Sequence, residues 1–168
     1  PARGGSKGIP RKNVRLMCGK PLISYSILNA LNSSYIADVV VTTDDEEIKR
    51  ISKLYNAEVI ERPTSLATDI ITLDPVIYHA TVEMENKKRI KYDAVITMQP
   101  TSPLLTVETL DNSIEFFINE NIDTVISGVN RPHLAWTQVD DKCIPLYKER
   151  LNRQYLPKHL METGAFFI

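Results

Sequence analysis

Cysteine, histidine and long apolar runs are scarce in this chain, and each scarcity removes a class of function. Cys18 and Cys143 stand far apart without CxxC or Cys/His spacing, so neither a disulfide framework nor a zinc site is encoded. His79 falls inside a predicted helix, while His133 and His159 fall in irregular segments with no carboxylate at ligand spacing, so none is assigned to a metal. No apolar stretch can span a bilayer and no hydrophobic leader precedes the first glycines; the expectation is a cytoplasmic protein with no membrane partner. The formal charge of -1 has no excess of either sign, so nothing in the overall balance points to nucleic acid. Repeats and low-complexity tracts are also missing. At 168 residues and 43% hydrophobic, the chain is long enough for one domain with a substantial core and too short for two ordinary ones.

What is present is concentrated at the start. Pro1 to Asn13 reads PARGGSKGIPRKN, with Gly4, Gly5 and Gly8, Ser6, and the cations Arg3, Lys7, Arg11 and Lys12, and no carboxylate occurs before Asp38. Glycines let main-chain N–H groups close on an anion, and the neighbouring side chains supply neutralising charge, so the stretch suits a polyphosphate such as a nucleoside triphosphate. The spacing is neither that of the common phosphate loop ending in Gly-Lys-Ser/Thr nor the dinucleotide fingerprint, which disfavours kinase-type and nicotinamide readings. By composition alone a mobile basic terminus is an equal alternative.

Beyond the loop, helical spacing predicts a helix from about Pro21 to Asn32, and the β-branched run from Asp38 to Asp44 predicts a buried parallel strand. Asp44 is expected to cap a helix reaching about Tyr55. A strand over 57–60, a helix over 73–84, a strand over 94–98, a helix over 107–118 and a strand over 124–127 follow. Strands alternating with helices imply an α/β fold, a mostly parallel sheet covered on both faces, with ligands outside the carboxyl ends of the strands. After Asn130 no clean helix is predicted. Three polar segments stand out, each with an ordinary alternative. Arg62-Pro63 and the residues to Asp69 also read as a solvated turn. Gln99-Pro-Thr-Ser-Pro103 also reads as a strand-to-helix connection with Thr106 as the next cap, and Arg153-Gln154 as a surface ion pair. The acids Asp44 to Glu47 are read as partners of a helix dipole rather than a cation site.

The first segment, continued by Gly19-Lys20-Pro21-Leu22, resembles the opening of the acylneuraminate cytidylyltransferases, the CMP-sialic acid synthetases and their relatives for other nonulosonic acids. Gln99-Pro-Thr-Ser-Pro103, Arg62-Pro63 with Leu66-Ala67-Thr68-Asp69, and Arg153-Gln154 with Glu162 to Ile168 extend the resemblance over nearly the whole length. It implies a Rossmann-like nucleotidyltransferase with a small dimerisation excursion, a homodimer, CTP as co-substrate, an acidic nine-carbon sugar as acceptor, and Mg2+. The implied triphosphate contacts are Arg3, Lys7 and Lys12, which offset charge on the leaving pyrophosphate, together with Ser6. Asn13, Arg62 and, more weakly, Thr72 are the implied nucleoside contacts. Gln99, Thr101, Ser102, Arg153, Gln154 and Phe167 are the implied sugar contacts, Arg153 holding the sugar carboxylate through paired hydrogen bonds.

Departures from the family pattern fall mainly on the sugar side. Leu105 stands where Thr-Ser-Pro-Leu-Arg is usual, Thr163 where Asn is frequent and Phe167 where Tyr is frequent, which leaves the identity of the acyl sugar open. The family's metal-binding aspartates follow the last strand seen here, so no metal ligand is named; the chain is expected to lack that segment and the first strand. The 3-deoxy-manno-octulosonate cytidylyltransferases carry Ser-x-Arg-Leu-Pro in place of Ser-Lys-Gly-Ile-Pro and are the rival enzyme. A catalytically idle nucleotide-binding or dimerisation domain is the rival of another class.

Overall fold

The computed structural model describes all residues, Pro1–Ile168, as two compact units: residues 1–126 with 164–168, and residues 127–163. In the first unit the glycine-rich loop ends in a single 3-10 turn, Lys12–Val14, followed by a two-residue antiparallel hairpin of β1 (Leu16–Met17) and β2 (Lys20–Pro21). Cys18 (φ 49°) and Gly19 (φ 82°) form its turn, where two successive positive φ values match the twist of the flanking strands. Helix α1 (Leu22–Leu31) buries Ile23, Ile27 and Ala30 at helical spacing, within a residue of its predicted limits.

Strand β3 (Val40–Thr43) lies parallel to β4 (Glu58–Glu61), Val41 facing Val59, and α2 (Glu46–Leu54) connects them. The cap of α2 is Asp45, whose carboxylate accepts from the Ile48 N–H at 2.9 Å, and not Asp44 as the sequence suggests. Asp44 is drawn instead to the N–H of Gly4, at 3.1 Å. Helix α3 (Leu73–Lys88) runs a full turn past its predicted end. Lys87 reaches Glu58, Lys88 reaches both Glu58 and Asp38, and Arg89 (φ 58°) closes the helix by donating its N–H to Glu85 O. Lys87 and Lys88, past the predicted end, are therefore held helical by charge pairs with Glu58 of β4 and with Asp38 ahead of β3. β5 is confined to Thr97–Met98, and α4 (Val107–Glu120) starts at Thr106, whose hydroxyl accepts from Thr109 N–H at 3.1 Å.

Two apolar clusters hold this unit. Ile23 and Ile27 of α1, Val41 of β3, and Ile48 and Ile51 of α2 form one. Leu110 and Ile114 of α4 with Ala165 and Phe166 form the other; at about 1.5–3 kcal/mol per fully buried large side chain, each cluster outweighs any surface ion pair in the molecule. No ladder hydrogen bond joins β3 to β5. Between them is a cavity of about 390 Å³, lined mainly by apolar groups including Val39, Val41, Ile96 and Met98. Helix α1 ties the two sides: the Asn29 amide donates to Leu105 O, and the Asp111 carboxylate accepts from Ser33 Oγ and from Ser34 N–H.

The irregular stretch after Asn130 carries strands that periodicity does not announce. β6 (Ile126–Asn130) leads into a hairpin of β7 (Trp136–Val139) and β8 (Lys142–Pro145). Asp140 (φ 47°) and Asp141 (φ 62°) make its two-residue turn, and Trp136 meets Tyr147 edge to face at 5.6 Å. The last strand, β9 (Leu160–Phe167), is antiparallel: Thr163 Oγ1 meets Ser127 within the second unit, and residues 166–167 pair with β5 in the first. Both cysteines are exposed and unpaired, and no helix is long and apolar enough to cross a membrane.

Candidate active site

The glycine-rich loop begins at Ala2, alongside the carboxyl end of β3, the end of a strand at which ligands sit in an α/β sheet. Ala2 is buried and donates its N–H to Thr42 O at 3.0 Å, which fixes the loop's entry. At Gly4 a Cβ would lie 2.6 Å from an Asp45 carboxylate oxygen, so no larger residue fits while the Asp45 cap is in place. Ser6 is half-buried, and its N–H turns back to Gly4 O at 3.0 Å. The sequence pattern supplied the cations and glycines; it did not reveal how many carboxylates hold them.

Arg3 Nη1 pairs with Asp69 at 2.8 Å and donates to Thr68 O at 3.3 Å, and Lys7 pairs with the other oxygen of Asp69. The Lys7 ammonium, followed by Arg3, holds the Asp69 carboxyl below the ordinary carboxylate range. Arg11 is engaged by Asp45 and Glu47, and its guanidinium keeps the Asp45 carboxyl low as well. Lys12, half-buried on the 3-10 turn, has no ion pair. The acids after β3 thus serve the loop as well as the α2 dipole, a role that acids following a strand opposite a basic loop do suggest.

Asn13 is buried beneath the loop and donates from Nδ2 to Arg3 O at 3.1 Å, while its Oδ1 is a buried acceptor with no partner. An unmade hydrogen bond there costs about 1–3 kcal/mol, which a ligand hydroxyl or amine restores. Arg62 is also buried; Nη2 donates to Thr42 O at 2.8 Å and its own N–H to Thr43 O at 2.8 Å, so the side chain is pinned along β3. Burial pushes its guanidinium pKa down, partly opposed by the nearby Asp44 charge. Thr72 is exposed at the start of α3 and makes no side-chain cap.

The second polar segment follows β5. Gln99 donates its N–H to Ala165 O at 3.1 Å, and Ser102 N–H returns to Gln99 O at 3.3 Å, which folds residues 99–102 into a turn. Gly164 (φ 66°) lies against the Gln99 amide: a Cβ there would be 3.4 Å from Nε2. Thr101 is exposed, Ser102 half-buried, and Phe167 half-buried opposite Thr97. Arg153 and Gln154 are exposed on a 3-10 turn of the second unit, where Arg153 borders a shallow pocket with His133, Leu151 and Leu156. The structure therefore gathers Arg3, Ser6, Lys7, Lys12, Asn13 and Arg62 around the end of β3, and Gln99, Thr101, Ser102 and Phe167 around the end of β5. The apolar cavity between those strands offers little to a phosphate or a base edge and is not the nucleotide site.

No three His, Cys, Asp or Glu side chains converge on a point that could hold a metal ion. Asp44, Asp45, Glu47 and Asp69 are already engaged by Gly4, Arg11, Arg3 and Lys7. The side chains present do not by themselves fit a magnesium cage.

This arrangement is that of a nucleotidyltransferase. It matches the structure of CMP:2-keto-3-deoxy-manno-octonic acid synthetase complexed with CTP with a TM-score of 0.68 at 19% identity, over 99% of this chain and 70% of that one, a likeness that concerns the fold. A family model described as Cytidylyltransferase matches residues 1–159. The pseudaminic acid cytidylyltransferase of Campylobacter jejuni is 44% identical over 174 residues, 99% of this chain and 75% of the relative. The N-acylneuraminate cytidylyltransferase A of Danio rerio is 32% identical over 99% of this chain and 39% of its own length. The chain belongs to the cytidylyltransferase family, alongside the acylneuraminate and pseudaminic acid enzymes.

Proposed function

We propose that the protein activates a nonulosonic acid: its anomeric hydroxyl attacks the α-phosphorus of CTP, the bond to the β-phosphate breaks, and a CMP-sugar and pyrophosphate form. The observation that carries this reading is the set of three cations, Arg3, Lys7 and Lys12, on a glycine-rich loop anchored to β3 beside the open Oδ1 of Asn13. In this reading the three cations and Ser6 bind the triphosphate and offset charge growing on the leaving pyrophosphate, which is a matter of positioning and electrostatics. Asn13 takes a nucleoside hydroxyl or amine. Arg62, pinned along β3, lends its positive field to the phosphates and shapes the cytidine pocket, with Thr72 at its edge. Gln99, Thr101, Ser102 and Phe167 receive the acyl sugar, and Arg153, with Gln154 beside it, takes the sugar carboxylate. The divalent cation that accompanies CTP is Mg2+. The active form is a cytoplasmic homodimer built from this single domain, residues 127–163 being its excursion.

Pseudaminic acid is the first acceptor to try, because the relative named for it is 44% identical. Protein supplied with CTP, magnesium and a panel of nonulosonic acids releases pyrophosphate with at least one of them. Turnover with 3-deoxy-manno-octulosonate alone makes the chain the rival synthetase, and CTP binding without turnover on any acid makes it an idle domain. Arg3→Ala and Lys12→Ala raise the CTP requirement; unchanged CTP kinetics in both refute the loop assignment. Arg153→Ala raises the sugar requirement and spares CTP, and a defect confined to CTP overturns its role.

A further inference from the structure

Asp69 is the one carboxylate that grips two of the triphosphate cations at once. Its Oδ1 takes Arg3 and its Oδ2 takes Lys7, and apart from the Arg3 bond to Thr68 O no other hydrogen bond joins residues 68–71 to the loop. Asp69 itself has no other partner, and at 44% side-chain exposure it is open to exchange with solvent anions. Carboxylate and phosphate oxygens compete for the same donors, and a guanidinium and an ammonium spaced to hold both oxygens of one anion also hold two linked phosphates.

We propose that Asp69 is a built-in counter-ion: the polyphosphate displaces it from Arg3 and Lys7, and its return competes with pyrophosphate and speeds release of that product. This inference rests on the assignment of the loop to CTP. It makes Asp69 a determinant of phosphate-chain selectivity rather than a ligand. An anion that engages both cations outcompetes a single carboxylate, whereas a lone phosphate that engages one of them leaves Asp69 in place. Once displaced, Asp69 loses the depression that Lys7 and Arg3 impose, but its ordinary value of 3.8 still leaves it charged at neutral pH, and so competent to re-dock.

The test measures binding of pyrophosphate, CTP and CMP to the wild-type protein, Asp69→Asn, Asp69→Glu and Arg3→Ala, with magnesium, by calorimetry and by product inhibition of turnover. Exposed ion pairs are weak, so Asp69→Asn is expected to bind pyrophosphate and CTP about three- to tenfold more tightly, with CMP affinity unchanged and pyrophosphate inhibition strengthened by the same factor. Asp69→Glu is expected to restore most of the wild-type weakness. Equal or weaker pyrophosphate binding by Asp69→Asn overturns the counter-ion role, as does an equal gain for CMP, which signals only a change of net charge. If Arg3→Ala binds CTP as tightly as wild type, the loop assignment falls and takes this inference with it. If Arg3→Ala is weakened and Asp69→Asn is not tightened, the counter-ion role alone falls.

Discussion

Replacing Gly164 with Ala tests whether backbone geometry in β9 holds Gln99, the glutamine proposed to meet the sugar. Gly164 has φ 66°, and a Cβ built there lies 3.4 Å from Gln99 Nε2 and 3.6 Å from its Cδ and Oε1. Left-handed backbone costs an L-residue about 1–2 kcal/mol, and the entropy that the unfolded chain loses when Gly becomes Ala does not offset it at a positive φ. For a chain of this length the melting temperature falls by about 2–8 °C. The contact itself is at ordinary van der Waals distance, so the strain lies in the backbone at φ 66°, and its relief shifts the stretch of β9 against which the Gln99 amide rests. Loss of one polar contact is worth about 1 kcal/mol, or roughly a fivefold higher KM for the acyl sugar, with the CTP KM unchanged. Gly128→Ala is the control, because no positive φ is involved and its nearest neighbour, Met161 O, is at 3.5 Å. Thermal melts with steady-state kinetics in both substrates decide the matter. An unaltered melting temperature for Gly164→Ala refutes the strain argument, and a shift confined to the CTP KM refutes the link to Gln99.

Leu110→Ala empties a fully buried position beside Ile114 and Phe166, and a loss of about 2–5 kcal/mol in denaturant unfolding is expected; less than 1 kcal/mol means that the second cluster is not packed as described. Asp45→Asn keeps the α2 cap and removes the charge that Arg11 engages. Because Arg11 depresses the folded-state pKa of Asp45 below its ordinary 3.8, the advantage of wild type over Asp45→Asn is present above about pH 4 and disappears as the pH falls through the folded pKa. A stability difference that persists unchanged at pH 2 contradicts the pairing.

Helix limits were legible where one periodicity dominated. The apolar spacing from Leu22 to Leu31 marks α1 to within a residue, and Thr106 announces the start of α4. The end of α3 was not legible, because the apolar spacing stops at Met84 and the partners of Lys87 and Lys88, Glu58 and Asp38, come from distant parts of the chain. The hairpin of β7 and β8 was missed since all its residues are exposed and no alternation of burial marks it, although Asp140-Asp141 is a turn signal in plain view. On the candidate site, the loop's composition displayed its cations and the motif resemblance pointed to the residues after β5. That Asp44 and not Asp45 would meet Gly4, or that Asp69 would bridge Arg3 and Lys7, depends on how three loops converge, which one-dimensional spacing does not encode.

The absence of a ladder between β3 and β5 leaves α1 as a crossbar. One end of that helix is packed into the cluster under the phosphate loop, and its Asn29 and the serines beyond it are fastened to the residues around α4 that follow the Gln99 turn. On the proposed site assignment, the gap separating the two substrates is thus gauged by the rigidity of three helical turns rather than by sheet pleating. Softening that crossbar changes how often the two reactants come within bonding reach, even where every residue that touches them is left alone.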